Sequence, residues 1–234
     1  MSVANIDIWF AEVPSSDPRE LMERCESIIS ANERESVNRF RFEERRREAL
    51  LTRALARTAL SKFIGCALHE CRFDVSSEGR PFLENAPEGF DFNISHSAGC
   101  VVIAASKHAQ VGIDTESYAR ADEISEIASR VLTRKETAAA DALKNEARIR
   151  RLVELWALKE AWSKASGDGV GADFLSIEFE IASAKKEAVI SNAGNGWRFA
   201  LIDIFQAHAT AVAVQTVANI LSINTFDGLE LMTA

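Results

Sequence analysis

The sequence predicts an α+β fold built from two halves, with antiparallel sheets and packed helices. Two observations support this prediction. Predicted helices come before most of the predicted strands in each half, an order typical of α+β proteins. The runs "SHSAGCVVIAAS" and "QAHATAVAVQ" both place a histidine-bearing turn before a strand of small apolar residues, which is a faint internal repeat. The division is placed so that residues 1–108 form the first half and residues 109–234 the second.

The first half begins with a strand and continues with two helices. Ala, Leu and Arg enrich the second helix, and all three favour helix formation. The stretch 76–89 reads as a loop because Gly, Pro, Asn and Ser are frequent in it. Around it the sequence predicts helices at 17–31 and 43–65 and strands at 7–13, 71–75, 90–95, 100–106 and 111–117.

The second half begins with helical segments within 120–145. Thr133 is followed three residues later by Glu136, the spacing of a capping box at a helix start. Residues 148–166 give the strongest helix pattern, which ends in "SGDGVG". The remaining runs predict strands at 175–181, 187–191, 197–205 and 209–215.

Composition and charge exclude several classes of protein. With 234 residues, 47% hydrophobic and 26% charged, the chain has ordinary globular composition. A net charge of −8 disfavours a protein that coats nucleic acid. No apolar run approaches the roughly 20 residues that span a bilayer, and the N-terminal residues do not resemble a signal peptide. The spacing of the four cysteines suggests neither a zinc site nor a disulfide framework, so we expect free thiols and a cytoplasmic protein.

The run "WALKEAWSK" (156–164) carries charges inside an apolar helix. On a helical wheel one arc is ordinary core, whereas the opposite side combines apolar residues with Glu160 and Lys164. The simple interpretation is an i, i+4 salt bridge worth about 0.2–0.5 kcal/mol. The alternative is a catalytic helix, because Val153 and Trp156 make that side too apolar for a purely solvated surface.

Two other patterns each allow two interpretations. In "VGIDTES", Asp114 and Glu116 share one face of a strand, either as a solvent-facing edge or as a site for a hard cation such as Mg²⁺. The motif "FNISHSAG" is either an ordinary polar turn or a turn that holds a phosphate, and its polar residues are Asn93, Ser95, His96 and Ser97.

Arginines crowd residues 34–57, where they either form a solvated helix face paired with glutamates or bind phosphates or an acidic protein partner. The arginines of this region are Arg34, Arg39, Arg41, Arg45, Arg46, Arg47, Arg53 and Arg57.

The ordered motifs "GRP" (79–81), "FNISHS" (92–97), "VGIDTE" (111–116) and "WALKEAWSK" (156–164) resemble those of 4'-phosphopantetheinyl transferases. They are most similar to the larger, pseudo-dimeric type that activates surfactin synthetase, the Sfp-like type. Each motif is weak alone, but G-I-D followed some 40 residues later by W-x-x-K-E-x-x-x-K is specific.

The resemblance implies an activity, a fold and partners. Such enzymes transfer the phosphopantetheine arm of coenzyme A to a serine of an acyl or peptidyl carrier protein, release adenosine 3',5'-bisphosphate and need Mg²⁺. Their carriers, which serve fatty-acid, polyketide and nonribosomal-peptide synthesis, are acidic helical domains. The family fold has two similar halves related by a pseudo-two-fold axis with the active site between them. We therefore expect a monomer that binds neither nucleic acid nor membrane.

The resemblance also assigns the acidic and catalytic residues. It implies that Asp114, Glu116 and Glu160 bind the metal ion. Glu160 is also the candidate base for the carrier serine, either directly or through a metal-bound water. Lys164 would neutralise charge on the leaving phosphate.

The remaining assignments concern coenzyme A. The resemblance implies that Ser95 and His96 hold its phosphates and that Arg80, in the position of a common lysine, meets its nucleotide end. The family often has a basic residue where this chain has Ser36, and we choose Arg47 from the neighbouring arginines as the compensating contact.

Two other functions compete with the transferase. The chain could be a binding module for coenzyme A or a carrier that has lost catalysis, although the complete acidic set and Lys164 argue against this. A magnesium-dependent phosphohydrolase is the third interpretation, and it would release phosphate from small esters without a carrier.

Overall fold

A computed structural model describes residues 2–14, 18–77, 79–181, 189–194 and 196–233. The helices are α1 (Arg19–Ile28), α2 (Ala31–Asn38), α3 (Glu43–Ile64), α4 (Ala121–Val131), α5 (Arg134–Asp141), α6 (Glu146–Ser166) and α7 (Gly228–Thr233). The strands are β1 (Val3–Glu12), β2 (Phe73–Val75), β3 (Pro81–Leu83), β4 (Asp91–Ser97), β5 (Cys100–Ser106), β6 (Gln110–Ser117), β7 (Phe179–Ile181), β8 (Val189–Ser191), β9 (Trp197–Ile202), β10 (His208–Gln215) and β11 (Ile220–Asp227).

Two larger sheets organise the part of the chain that the structure describes. One has the strand order β11-β1-β5-β4, and the other has the order β6-β10-β9. Neighbouring strands are antiparallel except β1 and β11, which run parallel. Short hairpins β2-β3 and β7-β8 complete the β structure. The prediction of an α+β fold with antiparallel sheets and packed helices is confirmed, whereas the pseudo-two-fold axis stays a prediction.

The two sheets meet along β4 and β6, where side chains of β4 replace a backbone ladder. Alternate residues of a strand point to one face, so every second side chain of β4 can accept a hydrogen bond from an N–H of β6. The four bonds join Val111 N to Asp91 Oδ2 (2.8 Å), Ile113 N to Asn93 Oδ1 (3.0 Å), Thr115 N to Ser95 Oγ (3.3 Å) and Ser117 N to Ser97 Oγ (3.3 Å). This seam fixes the register between the sheets.

Among the described residues, three apolar clusters hold these layers together. One lies between the first sheet and α3, and a second lies between α6 and the second sheet. The third fills the space between the sheets with residues that include Ile6, Ile8, Val102, Ile113 and Val212, all inaccessible to solvent. Burial of such side chains stabilises each by roughly 1.5–3 kcal/mol, so the sheets are held together by packing as well as by the seam.

Several sequence predictions need correction. The predicted helix 17–31 is two helices, because Ser30 and Glu33 form a capping box that starts α2 there; residue 17 itself lies outside the described residues. The predicted loop 76–89 contains the short strand β3, which pairs with β2. The predicted strand 175–181 is shortened to β7, and 187–188 of the predicted strand 187–191 lie outside the described residues. The capping box at Thr133 and Glu136 is confirmed.

The end of the chain returns to the first sheet. The sequence predicts neither β11 nor α7, yet β11 pairs with β1 over eight residues and α7 packs against α3. The division of the chain between residues 108 and 109 stays a prediction. It assigns β11 and α7 to the second half, although they pack against β1 and α3 of the first half. Among the described helices, none is both long enough and apolar enough to cross a membrane.

Candidate active site

The site is built where β6 passes unusually close to α6. A Cβ atom on Gly112 would lie 2.1 Å from the carbonyl oxygen of Ala161 and 2.5 Å from the backbone nitrogen of Ala165. Only glycine allows this approach without moving the helix or the strand. It brings the strand that carries Asp114 and Glu116 against the helix that carries Glu160 and Lys164.

Asp114 and Lys164 form the centre of the site. The ammonium of Lys164 lies 2.7 Å from Asp114 Oδ1, 2.9 Å from Ser95 Oγ and 3.2 Å from the carbonyl oxygen of Ile113. Ser95 donates its hydroxyl hydrogen to the same Asp114 oxygen, at 2.8 Å. Lys164 therefore pairs across the helix–strand contact with Asp114 and does not form the expected salt bridge with Glu160.

The second oxygen of Asp114 has no partner. Oδ2 is buried and accepts no hydrogen bond, although a buried unpaired carboxylate oxygen is costly. Burial raises the pKa of Asp114 above its usual range, despite the opposing effect of Lys164 and Ser95. An orphaned acidic oxygen beside a lysine has the chemistry of a cation ligand that still has room for one more bond.

Glu116 is held more completely than Asp114. Oε1 accepts hydrogen bonds from Ser97 Oγ at 2.6 Å and from the backbone N–H of Ser117 at 3.1 Å. Oε2 accepts one from Arg120, four residues along the chain, at 2.5 Å. Arg120 would have to give way before Oε2 could bind a metal ion.

Glu160 faces the same group of carboxylates from α6. Burial raises the pKa of Glu160, and the nearby charge of Asp114 raises it further, against the opposing effect of Lys164. A carboxylate with a raised pKa accepts a proton more readily near neutral pH than an ordinary glutamate does.

Within the described ranges, no group of three or more His, Cys, Asp or Glu side chains forms a preformed metal centre. The donor set still fits Mg²⁺, because Mg²⁺ binds through one or two protein carboxylates and completes its shell with water and substrate phosphates. Asp114 Oδ2, which has no hydrogen-bond partner, is the oxygen available to coordinate such an ion. The residues therefore fit an open site shared with a phosphate, not a closed protein cage.

His96 lies at the end of β4 with 47% of its side chain exposed. Its Nδ1 is 2.9 Å from Oε1 of Glu48, a carboxylate with only 5% exposure. The exposed imidazole lies two residues before Ala98 and three before Gly99, which have positive φ angles (48° and 84°) in the turn to β5. The structure thus places His96 at the solvent-exposed end of the seam between β4 and β6.

Arg80 and Arg47 occupy different environments. Arg80 donates to Asp91 at 2.8 Å and to the carbonyl oxygens of Lys164, Phe92 and Val111. It therefore ties β4, β6 and the last turn of α6 together. Arg47 is more exposed and pairs with Glu43 at 3.0 Å. The contacts of both arginines with coenzyme A stay predictions.

Sequence reasoning gave no assigned role to three residues that contact Glu116 or His96: Ser97, Arg120 and Glu48. Ser97 carried a usable signal, because it lies two residues after Ser95 on the same strand face. Arg120 is four residues after Glu116, but the turn that follows β6 was needed to bring them together. Glu48 was read only as a partner of the surrounding arginines.

The chain belongs to the 4'-phosphopantetheinyl transferase superfamily. The superfamily model matches residues 110–214, and the model of the N-terminal part of a 4'-phosphopantetheinyl transferase matches residues 16–108. The second model and the relatives below support the larger type of this transferase.

Two curated relatives cover most of the chain. The 4'-phosphopantetheinyl transferase HetI of Nostoc sp. is 28% identical over 194 residues, which is 82% of this chain and 80% of HetI. The mouse L-aminoadipate-semialdehyde dehydrogenase-phosphopantetheinyl transferase is 30% identical over 207 residues, which is 80% of this chain and 67% of the mouse protein.

A solved structure resembles part of the chain. It is a holo-(acyl-carrier-protein) synthase from Bacillus anthracis in complex with CoA (3',5'-ADP), with a TM-score of 0.41 and 25% identity. The match covers 47% of this chain and 96% of that synthase.

Proposed function

We propose that this transferase moves the 4'-phosphopantetheine arm of coenzyme A to a serine hydroxyl of an acyl or peptidyl carrier protein and releases adenosine 3',5'-bisphosphate. The observation that carries the proposal is the meeting of Asp114, Glu160 and Lys164 at the contact of β6 with α6. Membership of the superfamily supports the reaction class. A cluster of carboxylates with a lysine suits transfer from a pyrophosphate, which needs positioning and charge stabilisation.

In this reaction the serine oxygen bonds to the phosphorus next to pantetheine, and the bond from that phosphorus to the bridging oxygen breaks. The serine proton goes to a base, and the leaving bisphosphate takes the bond's electron pair. Glu160 is the candidate base, because its raised pKa favours proton acceptance. A water molecule between Glu160 and the serine would serve equally well.

Lys164, Ser95 and His96 would bind phosphate oxygens. Lys164 is shared between Asp114 and Ser95, so a phosphate oxygen can replace one of these partners without leaving the ammonium uncompensated. Mg²⁺ held by Asp114 and Glu160, with Glu116 as a third candidate, would supply additional stabilisation of the charge that develops on the phosphates. Arg80 and Arg47 remain candidates for the nucleotide end.

The structure also bears on the carrier partner, the oligomeric state and the cellular location of the protein. An acidic carrier domain would meet the arginine-rich start of α3, because opposite charges steer association. We infer a monomer, since both sheets of the seam come from one chain. We also infer a cytoplasmic protein, because Cys25, Cys66, Cys71 and Cys100 are free thiols.

The experiment is a carrier panel. Purified protein, coenzyme A and Mg²⁺ are incubated with acyl and peptidyl carrier domains, and each carrier's mass is followed. Gain of one phosphopantetheine mass, absent when the carrier serine is alanine, is expected. If no carrier gains mass while calorimetry detects coenzyme A binding, the protein is a binding module. Phosphate release from small esters without a carrier would indicate a phosphohydrolase.

A further inference from the structure

A buried carboxylate on α3 lies directly behind the exposed histidine of the site. Glu48 has 5% of its side chain exposed and lies in the second turn of α3, where it contacts His96 of β4. A buried charge is tolerated only when it is paired and hydrogen-bonded. The partners of Glu48 therefore indicate what it does.

Both carboxylate oxygens of Glu48 accept hydrogen bonds at the C-terminal end of β4 and in the turn that follows it. Oε1 is 2.9 Å from His96 Nδ1 and 3.2 Å from Arg45, and Oε2 accepts the backbone N–H of Gly99 at 2.9 Å. Burial opposes ionisation, but the bonds from His96 and Gly99 outweigh it and lower the pKa of Glu48 to about 2. At neutral pH the carboxylate is charged and only accepts hydrogen bonds.

This fixes the hydrogen on the imidazole. Because an ionised carboxylate cannot donate, the His96 Nδ1 that faces it must carry the hydrogen. The nitrogen that remains for a ligand is Nε2, to which the described part of the chain offers no hydrogen-bond partner. Without Glu48, both ring tautomers and other rotations of the exposed ring would be accessible.

The second oxygen holds the turn that follows. Ala98 and Gly99 have φ angles of 48° and 84°, and the Gly99 N–H inside this turn donates to Glu48. One carboxylate therefore fixes both the imidazole and the turn after it, so that α3 is coupled to the end of the seam where Ser97 meets Glu116.

We propose that Glu48 is a positioning residue of the transferase: its carboxylate holds the Nδ1–H and so orients His96 and the 97–100 turn, and the Nε2–H of the protonated ring then donates to an anionic phosphate of coenzyme A. The identity of the anion rests on the proposed function. The orientation of His96 by Glu48 is independent of that function and can be tested without substrate.

The kinetic test compares wild type with Glu48→Gln, which keeps the size of the side chain and removes its charge. The KM for coenzyme A should rise about tenfold, the equivalent of one lost charged hydrogen bond of roughly 1.4 kcal/mol. The kcat value should stay close to wild type. In a His96→Ala background, Glu48→Gln should add little, because a residue that acts through another has no effect once that other residue is gone.

Glu33→Gln is the matched control. Glu33 pairs with the buried Arg57 at 2.8 Å, near the opposite end of α3. Its loss removes a comparable ion pair and leaves His96 untouched, so any rise in KM that comes from lower stability alone appears in both variants. Equal KM values in the two variants would overturn the proposal.

The substrate-free test is the ¹⁵N spectrum of histidine-labelled protein above the imidazole titration range. Wild type should show His96 as the Nδ1–H tautomer, and Glu48→Gln should show a mixture or the Nε2–H tautomer. An unchanged tautomer together with an unchanged KM would refute the role of Glu48. An inactive wild type that retains the Nδ1–H tautomer would instead contradict the proposed reaction and leave the positioning geometry standing.

Discussion

Two lysines of α6, five residues apart, each pair with a buried carboxylate but differ in whether that pair is fully hydrogen-bonded. Lys159 is fully buried, pairs with the equally buried Glu136 at 2.8 Å and donates to the carbonyl oxygens of Phe174 (2.7 Å) and Ile177 (2.6 Å). Lys164 is 26% exposed and pairs with Asp114, whose second oxygen has no partner. We call the Lys159–Glu136 pair complete, because the ammonium has three partners. We call the Lys164–Asp114 pair open, because Asp114 Oδ2 has no partner.

Comparison of the two pairs separates a charge whose bonding is complete from one that can still bind a ligand. In the complete pair the lysine has filled its three donor positions, and burial lowers the pKa of Lys159 against the opposing effect of Glu136. In the open pair, burial raises the pKa of Asp114, so a further cation would relieve a real penalty. Unsatisfied hydrogen-bonding capacity, more than burial, distinguishes the candidate active site.

The largest expected effect is the loss of transfer in Glu160→Gln. Removing a general base lowers the rate by about 10²–10⁴-fold, and any loss of metal affinity adds to this. The rate of carrier mass gain measures the effect, and urea unfolding checks that the fold remains. Glu146→Gln, an exposed change at the start of the same helix, should transfer at the wild-type rate. Retained activity in Glu160→Gln would remove Glu160 from the mechanism.

Lys159→Met should lower the free energy of unfolding by about 3–5 kcal/mol, because Glu136 would remain buried without its partner. Urea titration followed by circular dichroism measures this loss. Lys164→Met should be destabilised less, since Asp114 can take a proton, while its transfer rate falls steeply. If both substitutions reduced stability equally, the distinction between the complete and open pairs would be wrong.

Gly112→Ala should reduce stability by about 1–3 kcal/mol, because the new methyl overlaps the backbone of α6. The shift would move Asp114 away from Glu160 and Lys164, so transfer should fall by more than the lost stability explains. Thermal unfolding and carrier assays on the same preparation test this. Gly171→Ala, where a Cβ meets no atom within 4 Å, is the control; a fall of equal size there would show that the close approach is unimportant.

The smallest expected effect is stabilisation by Mg²⁺. At ten times its dissociation constant the ion should add about 1.4 kcal/mol to the free energy of unfolding. Asp114 and Glu160 must be ionised to bind it, and both pKa values are raised. The stabilisation should therefore be present at higher pH and disappear as pH falls, at pH values above the usual carboxyl range near 4. Thermal melts with and without Mg²⁺ would show this shift, and Asp114→Asn should abolish it.

Much of the fold followed from local pattern. The helix α3, predicted from its Ala, Leu and Arg content, the helix α6, the capping box before α5 and the apolar strands β5, β6 and β10 were predicted with small errors at their ends. The errors fell where local signals are weak: α2 begins at a capping box inside one apparent helix, and β3 is only three residues long. The strand β11 alternates too little to be read as one without its partner β1.

The site divides in the same way. Spacing on one strand and one helix, together with the ordered motifs, selected Asp114, Glu116, Glu160 and Lys164. The pairing of Lys164 with Asp114 instead of Glu160 could not be read from spacing, because an i, i+4 pair on the helix is always the nearer choice in sequence. Ser97, Arg120 and Glu48 depend on contacts between different elements or on the turn that joins them.

Local sequence patterns were enough to predict the α+β class, the transferase resemblance and the acidic and basic residues of the candidate site, because strand and helix periods and residue spacing are local properties. Three other facts came from the packing of the chain: Gly112 brings β6 against α6, Lys159 has all its hydrogen-bond partners whereas Asp114 does not, and Glu48 lies behind His96. Those facts depend on which donors and acceptors meet after the sheets pack, and burial then sets how much each unpaired group costs.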